Sequence, residues 1–249
     1  MMRNADRPSH RRAAWRDQQG ASLLTVMVLL LLSLLLVLGA ARTALFHERI
    51  TGIDSDDQRA QEAAHAMLRD AEFEVRGEHP DGTACADASH VGCRPRRLDV
   101  AAGIAFLPEN LQDWQDLQRA LATRTPSCVA GVCVADHVAP AFWNTATGAS
   151  GLDAMKAVAA TYGQYTRATG GAVGSPLLRN DAGSTARAWY WIEVLPYDMA
   201  ATLDGGNAHR LAPDVQRPFI YRITALAQGL KPGTQAVLQS IVVWKADAS

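Results

Sequence analysis

Four cysteines offer the most reactive chemistry in this sequence, and they fall in two close pairs, Cys85/Cys93 and Cys128/Cys133. An even count in an oxidising compartment points to disulfides, with three connectivities open; local pairing is the simplest, because each short loop can close. Zinc is the rival, since His79, Cys85, His90 and Cys93 supply two imidazoles and two thiols. That spacing matches no standard zinc finger, and an oxidising compartment disfavours thiolate ligands, so disulfides are expected and no metal is assigned.

Patterns for catalysis are weaker. Gly148–Gly151 (GASG) lacks the spacing of a nucleophile elbow, and no Ser-x-x-Lys precedes a general base. Gly170–Gly174 (GGAVG) follows no clear strand, so it is expected as a loop rather than a dinucleotide fingerprint. Asp54–Glu62 (DSDDQRAQE) resembles a calcium loop, but Gln58 replaces an oxygen ligand and Arg59 the required glycine. It is expected instead as the acidic, solvated first turn of a helix, favoured by the helix dipole. His47 and His65 have no companions and are expected at the surface. Trp189, Trp191 and Trp244 invite a sugar-binding stripe, although strand aromatics more often belong to a core. Neither a catalytic residue nor a cofactor is assigned.

The elements that would carry these residues follow from charge and periodicity. A chain of 249 residues with net charge −1 has room for one ordinary domain and an appendage, or at most two small domains, and its near-neutral balance gives no electrostatic case for nucleic-acid binding. The charge is uneven only at the start, where Arg3, Arg7, Arg11, Arg12 and Arg16 face Asp6 and Asp17. No charged side chain occurs from Gln18 to Ala41. As a helix, Gly20–Ala41 would be ~33 Å long, enough to cross a bilayer core of ~30 Å. The arginines before it place the N-terminus in the cytoplasm and the body outside, periplasmic in a Gram-negative cell. A cleaved signal ending at Gly39-Ala40-Ala41 is the alternative, but the apolar run exceeds the usual signal core of about 7–15 residues. An amphipathic pattern also resumes at Ala60, Ala64, Met67/Leu68, Ala71 and Val75. The apolar segment is therefore expected to run into a longer helix, with a weak point at Gly52, that ends near Arg76 in a turn-rich stretch.

Further on, Leu107–Leu121 is expected to be helical from Pro108, with Leu111, Trp114, Leu117/Gln118 and Leu121 on one side, and Leu152–Gly163 to form a second short helix. Ala186–Asp198 reads as a strand ending at Pro196. Two further strands flank the turn Leu230–Thr234 (LKPGT), the strongest hairpin signal in the chain. The expected fold is α+β: a long N-terminal helix, transmembrane and then amphipathic, packed on a C-terminal antiparallel sheet.

A helix that is apolar first and amphipathic later, behind a short basic leader ending in Gly20, resembles a type IV pilin. The stretches Glu48–Gly52 (ERITG), Leu68–Glu72 (LRDAE), Cys128–Cys133 (CVAGVC), Tyr162–Thr166 (YGQYT) and Tyr221–Val242 are similar to the minor pilins of the PilX type. The resemblance implies that a prepilin peptidase cuts between Gly20 and Ala21, and that Ala21 is then N-methylated. The apolar segment would serve as export signal, anchor and filament core. It implies a leader at 1–20, a pilin helix at 21–76 with 21–41 transmembrane, and a periplasmic head at 77–249 that later enters the extracellular pilus.

Most pilins carry Glu at the fifth mature position, where it pairs with a neighbouring subunit's N-terminal amine; here that position holds Thr25. A subunit with no neighbour above it has no amine to pair, so a tip or initiating role is one reading, and a tolerated polar residue in a membrane helix is the other. Other minor pilins, the major pilin, the inner-membrane assembly machinery and a tip adhesin are the implied partners. The alternatives are a K-type pseudopilin of type II secretion, usually with a larger head than this chain allows, or a signal-anchored periplasmic enzyme or binding protein.

Overall fold

The computed structural model describes residues 19–85, 92–134, 141–168, 174–179, 185–198 and 212–245. They fall into two compact units, Met1–Gly52 and Ile53–Ser249. Helix α1 (Gln19–Arg76) begins in the first unit and ends in the second.

In the first unit the apolar side chains from Leu23 to Leu38 are exposed, Leu36 to 75%. Among the described residues, α1 is the one helix long and apolar enough to cross a membrane. Its hydroxyls turn back on their own backbone: Thr25 Oγ1 donates to the Ser22 carbonyl at 2.8 Å, and Thr43 Oγ1 to that of Gly39 at 3.1 Å. Such bonds satisfy a hydroxyl where no water is at hand. Gly52, expected as a weak point, is helical and closes the first unit.

In the second unit α1 buries Ala60, Ala63, Ala64, Met67, Ala71 and Val75, spaced by one to four residues along one face. The helix stops where Gly77 adopts φ 72°; the N–H groups of Gly77 and Glu78 return to the carbonyls of Glu74 and Phe73, each at 3.0 Å. This left-handed cap satisfies two of the helix's last carbonyls, and glycine adopts it at no steric cost.

Five strands form one sheet in the order β1 (Cys128–Val129), β2 (Val132–Val134), β3 (Ala188–Pro196), β4 (Phe219–Gln228) and β5 (Gln235–Val243). The antiparallel pairing expected of the late strands holds for β3 with β4, Ala188↔Ala227 to Pro196↔Phe219, and for β4 with β5, Ile220↔Val243 to Gln228↔Gln235. β2 instead runs parallel to β3, with Val132 opposite Ile192, so the sheet is mixed. A parallel neighbour needs a crossover, here the long segment that contains a 3-10 turn (Phe142–Asn144) and a helix.

The period of two splits the strands between two cores. Tyr190, Ile192, Val194, Phe219, Tyr221, Ile223 and Ala225 cluster with the buried stripe of α1. On the opposite face Trp189, Trp191 and Leu226 cluster with Cys128, Cys133, Phe142, Leu152 and Met155. Phe142 meets Trp191 edge-on at 4.8 Å. Trp189 and Trp191 are thus core residues, and Trp244 packs against the other cluster under the Arg217 guanidinium, so the three form no sugar-binding stripe.

Two helices are shorter than periodicity suggests. α2 (Leu111–Leu121) starts three residues after Pro108, because Asn110 caps it by accepting the Asp113 N–H at 2.9 Å; Leu111 is exposed, while Leu117 and Leu121 are buried. α3 (Leu152–Ala157) stops because the sheet uses the following backbone. Ala160 exchanges two bonds with Tyr190, at 3.0 and 3.1 Å, and the Val158 carbonyl accepts the Gly131 N–H at 2.6 Å.

Candidate functional site

Three carboxylates interrupt the buried stripe of α1, and each grips a different segment. Asp56 is 2% exposed and accepts the backbone N–H of Leu230 at 2.9 Å and of Lys231 at 2.8 Å, at the turn between β4 and β5. Burial opposes its ionisation, but those amides and the Thr234 hydroxyl outweigh it and hold the carboxyl below its usual range. The run Asp54–Glu62 is therefore not a solvated first turn: it lies inside α1, and one of its acids is a structural clamp. Gly229 makes room for it, since a Cβ there would sit 2.3 Å from Asp56 Oδ2.

Asp70 accepts from the Thr166 hydroxyl and from the Gly163 N–H at 2.7 Å. Burial is the larger influence on it and raises its pKa to about 6 against those two bonds; the nearby Glu74 carboxylate raises it further.

Glu74 binds the Arg94 guanidinium through one oxygen and the Tyr190 hydroxyl through the other. Both charges are nearly inaccessible, their side chains 1% and 7% exposed. A buried ion pair survives desolvation only when its remaining donors are used. Arg94 uses them on the carbonyls of Ala105 at 3.0 Å and Ala130 at 2.9 Å, and stacks over the Tyr165 ring at 3.8 Å. Burial works against the arginine charge, and Glu74 more than restores it. Tyr190 is pushed well above its usual value by burial, with both carboxylates adding to it.

The cysteines pair locally, Cys85 with Cys93 and Cys128 with Cys133. The second bridge follows from its hairpin. Ala130 and Gly131 take φ 51° and 80°, a two-residue turn of the kind that matches strand twist. Val129 and Val132 flank it, which puts Cys128 opposite Cys133 at a Cα separation of 4.2 Å, close to the ~4.5 Å of a non-hydrogen-bonded pair. Gly131 is needed twice over, since a Cβ there would also come within 2.7 Å of the Ala160 Cβ. The first bridge lies against His79, the one histidine among the described residues beside the cysteines; His90, the other imidazole of the zinc alternative, lies outside the described residues.

Of the other expected site residues, Gly20 and Ala21 occupy the first turn of α1, and Thr25 follows within the exposed apolar run. The leader before Gln19 and most of Gly170–Gly174 lie outside the described residues.

Residues 109–243, more than half of the chain, match the family model "Type IV pilus assembly protein PilX C-term". The chain belongs to the PilX family. The matched span runs from just before α2 to the end of β5, so it takes in the whole sheet and the Cys128–Cys133 hairpin. No curated protein and no solved structure matches the chain.

In this PilX-family chain, Asp70, Glu74 and Arg94 lie before the matched span, while Gly163, Thr166 and Tyr190, which they hold, lie within it. Sequence reasoning missed this network, along with Asp56. The available signal was an acid at 56, 70 and 74 beside apolar positions 60, 71 and 75, since acids on a buried stripe need partners.

Proposed function

We propose that this PilX-family chain is a minor pilin that primes or caps type IV pilus assembly, a structural subunit and not an enzyme. Prepilin peptidase removes residues 1–20, the N-terminus stays cytoplasmic, 21–41 span the inner membrane, and the head faces the periplasm until the subunit enters the pilus. Other minor pilins and the major pilin are its neighbours, with the inner-membrane machinery beneath and a tip adhesin above.

The observation that carries the reading is Thr25. At the fifth position after Gly20 it offers a neutral hydroxyl, which donates to the Ser22 carbonyl at 2.8 Å, and no carboxylate with which to pair a neighbour's amine. That fits a subunit with nothing stacked above it. Its test is placement. An epitope tag on the head, labelled with gold on sheared filaments, should mark ends, and deletion of the gene should lower filament number more than filament length. Gold spaced along whole filaments would defeat the priming and capping role.

A further inference from the structure

We propose that His79, Cys85 and Cys93 form a latent metal site that takes a zinc-class divalent cation when the Cys85–Cys93 bridge is reduced. One nitrogen and two sulfurs lie within 4.8 Å of one another. His79 Nδ1 lies 2.7 Å from the Thr166 carbonyl, an acceptor only, so Nδ1 carries the proton and Nε2 presents its lone pair. That lone pair faces sulfur: Nε2 is 3.5 Å from Cys93 Sγ and 3.6 Å from Cys85 Sγ. A histidine whose far nitrogen donates to a backbone carbonyl is the usual arrangement behind a zinc-bound imidazole.

The distances suit the ion as well as the tautomer. With Zn–S near 2.3 Å and Zn–N near 2.0–2.1 Å, a tetrahedral centre has N···S edges of ~3.6 Å, which both sulfurs already keep, and an S···S edge of ~3.8 Å. Only the sulfur–sulfur edge must open, and side-chain rotation can supply that across a Cα separation of 5.8 Å. The backbone of two of the three is held independently of the bridge: His79 N–H donates to the Thr83 carbonyl at 2.8 Å, and Cys85 N–H to that of Gly77 at 2.7 Å, beside the helix cap. His79 and Cys93 are buried; His79 borders an open recess with Pro80, Asp81, Thr83 and Tyr162, and Cys85 lines a second one with Glu74, Gly77 and Arg94.

The chemistry balances in two steps. An external dithiol reduces the bridge, leaving two thiols here and a cyclic disulfide on the reductant. The cation then binds two thiolates and neutral Nε2, releasing two protons, with water as the fourth ligand. Metal and disulfide are thus alternative staples for one loop, and the proposal stands or falls apart from the pilus reading.

The test uses full-length chain in detergent micelles, carrying Cys128→Ser and Cys133→Ser so that one pair of thiols remains. Cobalt(II) is the probe, zinc(II) the competitor. The reduced chain should bind one cobalt with thiolate charge-transfer and tetrahedral d–d bands, lose them to zinc, and show neither before reduction. His79→Asn keeps a donor for the Thr166 carbonyl but removes Nε2; it should weaken cobalt binding at least tenfold, and Cys93→Ser should halve the charge-transfer intensity. Far-UV circular dichroism of each variant comes first, and if the asparagine variant is misfolded, the Cys93→Ser result decides. Absence of stoichiometric cobalt in the reduced chain, an equal signal from unreduced chain, undiminished affinity in folded His79→Asn, or full intensity in Cys93→Ser would each overturn the site.

Discussion

Asp56 and Lys231 stand 175 positions apart in sequence, yet a carboxylate oxygen of one accepts the backbone N–H of the other at 2.8 Å. With the Leu230 N–H on its other oxygen, Asp56 fastens the tip of the β4–β5 hairpin to α1. Asp56→Ala leaves two inward-facing amides without their acceptor and should cost about 2–4 kcal/mol. Asp54→Ala, on the exposed side of the same helix, should stay within about 0.5 kcal/mol of wild type. Guanidinium unfolding followed by tryptophan fluorescence separates the two, and equal midpoints would remove Asp56 from the fold's essential contacts.

Asp70 sets a pH dependence with a definite sign. Its folded pKa of about 6 lies above its ordinary 3.8, so its contribution to stability is fully present below pH ~4 and is lost as pH rises through 6. From pH 7 down to 4.5 the wild type should gain on the order of 2 kcal/mol relative to Asp70→Asn, which has no proton to take up. Asp56 has the opposite sense, its carboxyl being held low, and weakens the fold only at more acid pH. Unfolding midpoints of both proteins that move together across pH 4.5–7 would assign the titration elsewhere.

How much of this was legible beforehand depends on how local each cause is. The α1 stripe, the ends of β3 and the β4–β5 hairpin show in periodicity and turn residues, because near neighbours decide them. β1 and β2 have two and three residues, too few for a period, and their place beside β3 rests on the Gly131 carbonyl accepting the Ile192 N–H at 2.7 Å. α3 is shorter than its sequence pattern for a related reason: the pattern continues through Val158 and Ala160, but the sheet claims their backbone. Asp70 and Glu74 were invisible as structural groups because Thr166 and Tyr190 lie 96 and 116 positions away.

Processing should expose Ala21. N-terminal mass spectrometry of the mature protein should find residues 1–20 missing and the new amine methylated. Gly20→Asp or Gly20→Trp should leave precursor in the membrane. A mature chain that starts at Arg42 would mean an ordinary secretion signal and sink the pilin anchor.

Thr25→Glu should assemble no better than wild type if the subunit initiates or caps. An unpaired acid in the bilayer costs on the order of 2–3 kcal/mol at depth and less near the interface. A rise in this protein per unit of major pilin in sheared filaments would show that the acid had found a neighbour's amine, and would end the tip assignment.

Non-reducing peptide maps of protein kept from reductant should contain both local links and no free thiol. Cys128→Ser with Cys133→Ser should lower stability by about 2 kcal/mol, the loop entropy of so short a ring. Gly131→Ala should cost more, as it adds a strained φ and a clash with Ala160 to an intact bridge. Crossed links in the map would refute the local pairing.

The three acids of α1 also decide how the second unit would bear tension. Asp56 and Glu74 are separated by about 27 Å of helix at ~1.5 Å per residue, with Asp70 between them, and each is tied to a separate piece of chain. A pull along the axis of α1 is then met at three places along the helix. A single clamp at one end would leave the rest of the helix to part from the sheet once it failed. Spacing the acids along one face divides a load among modest individual bonds.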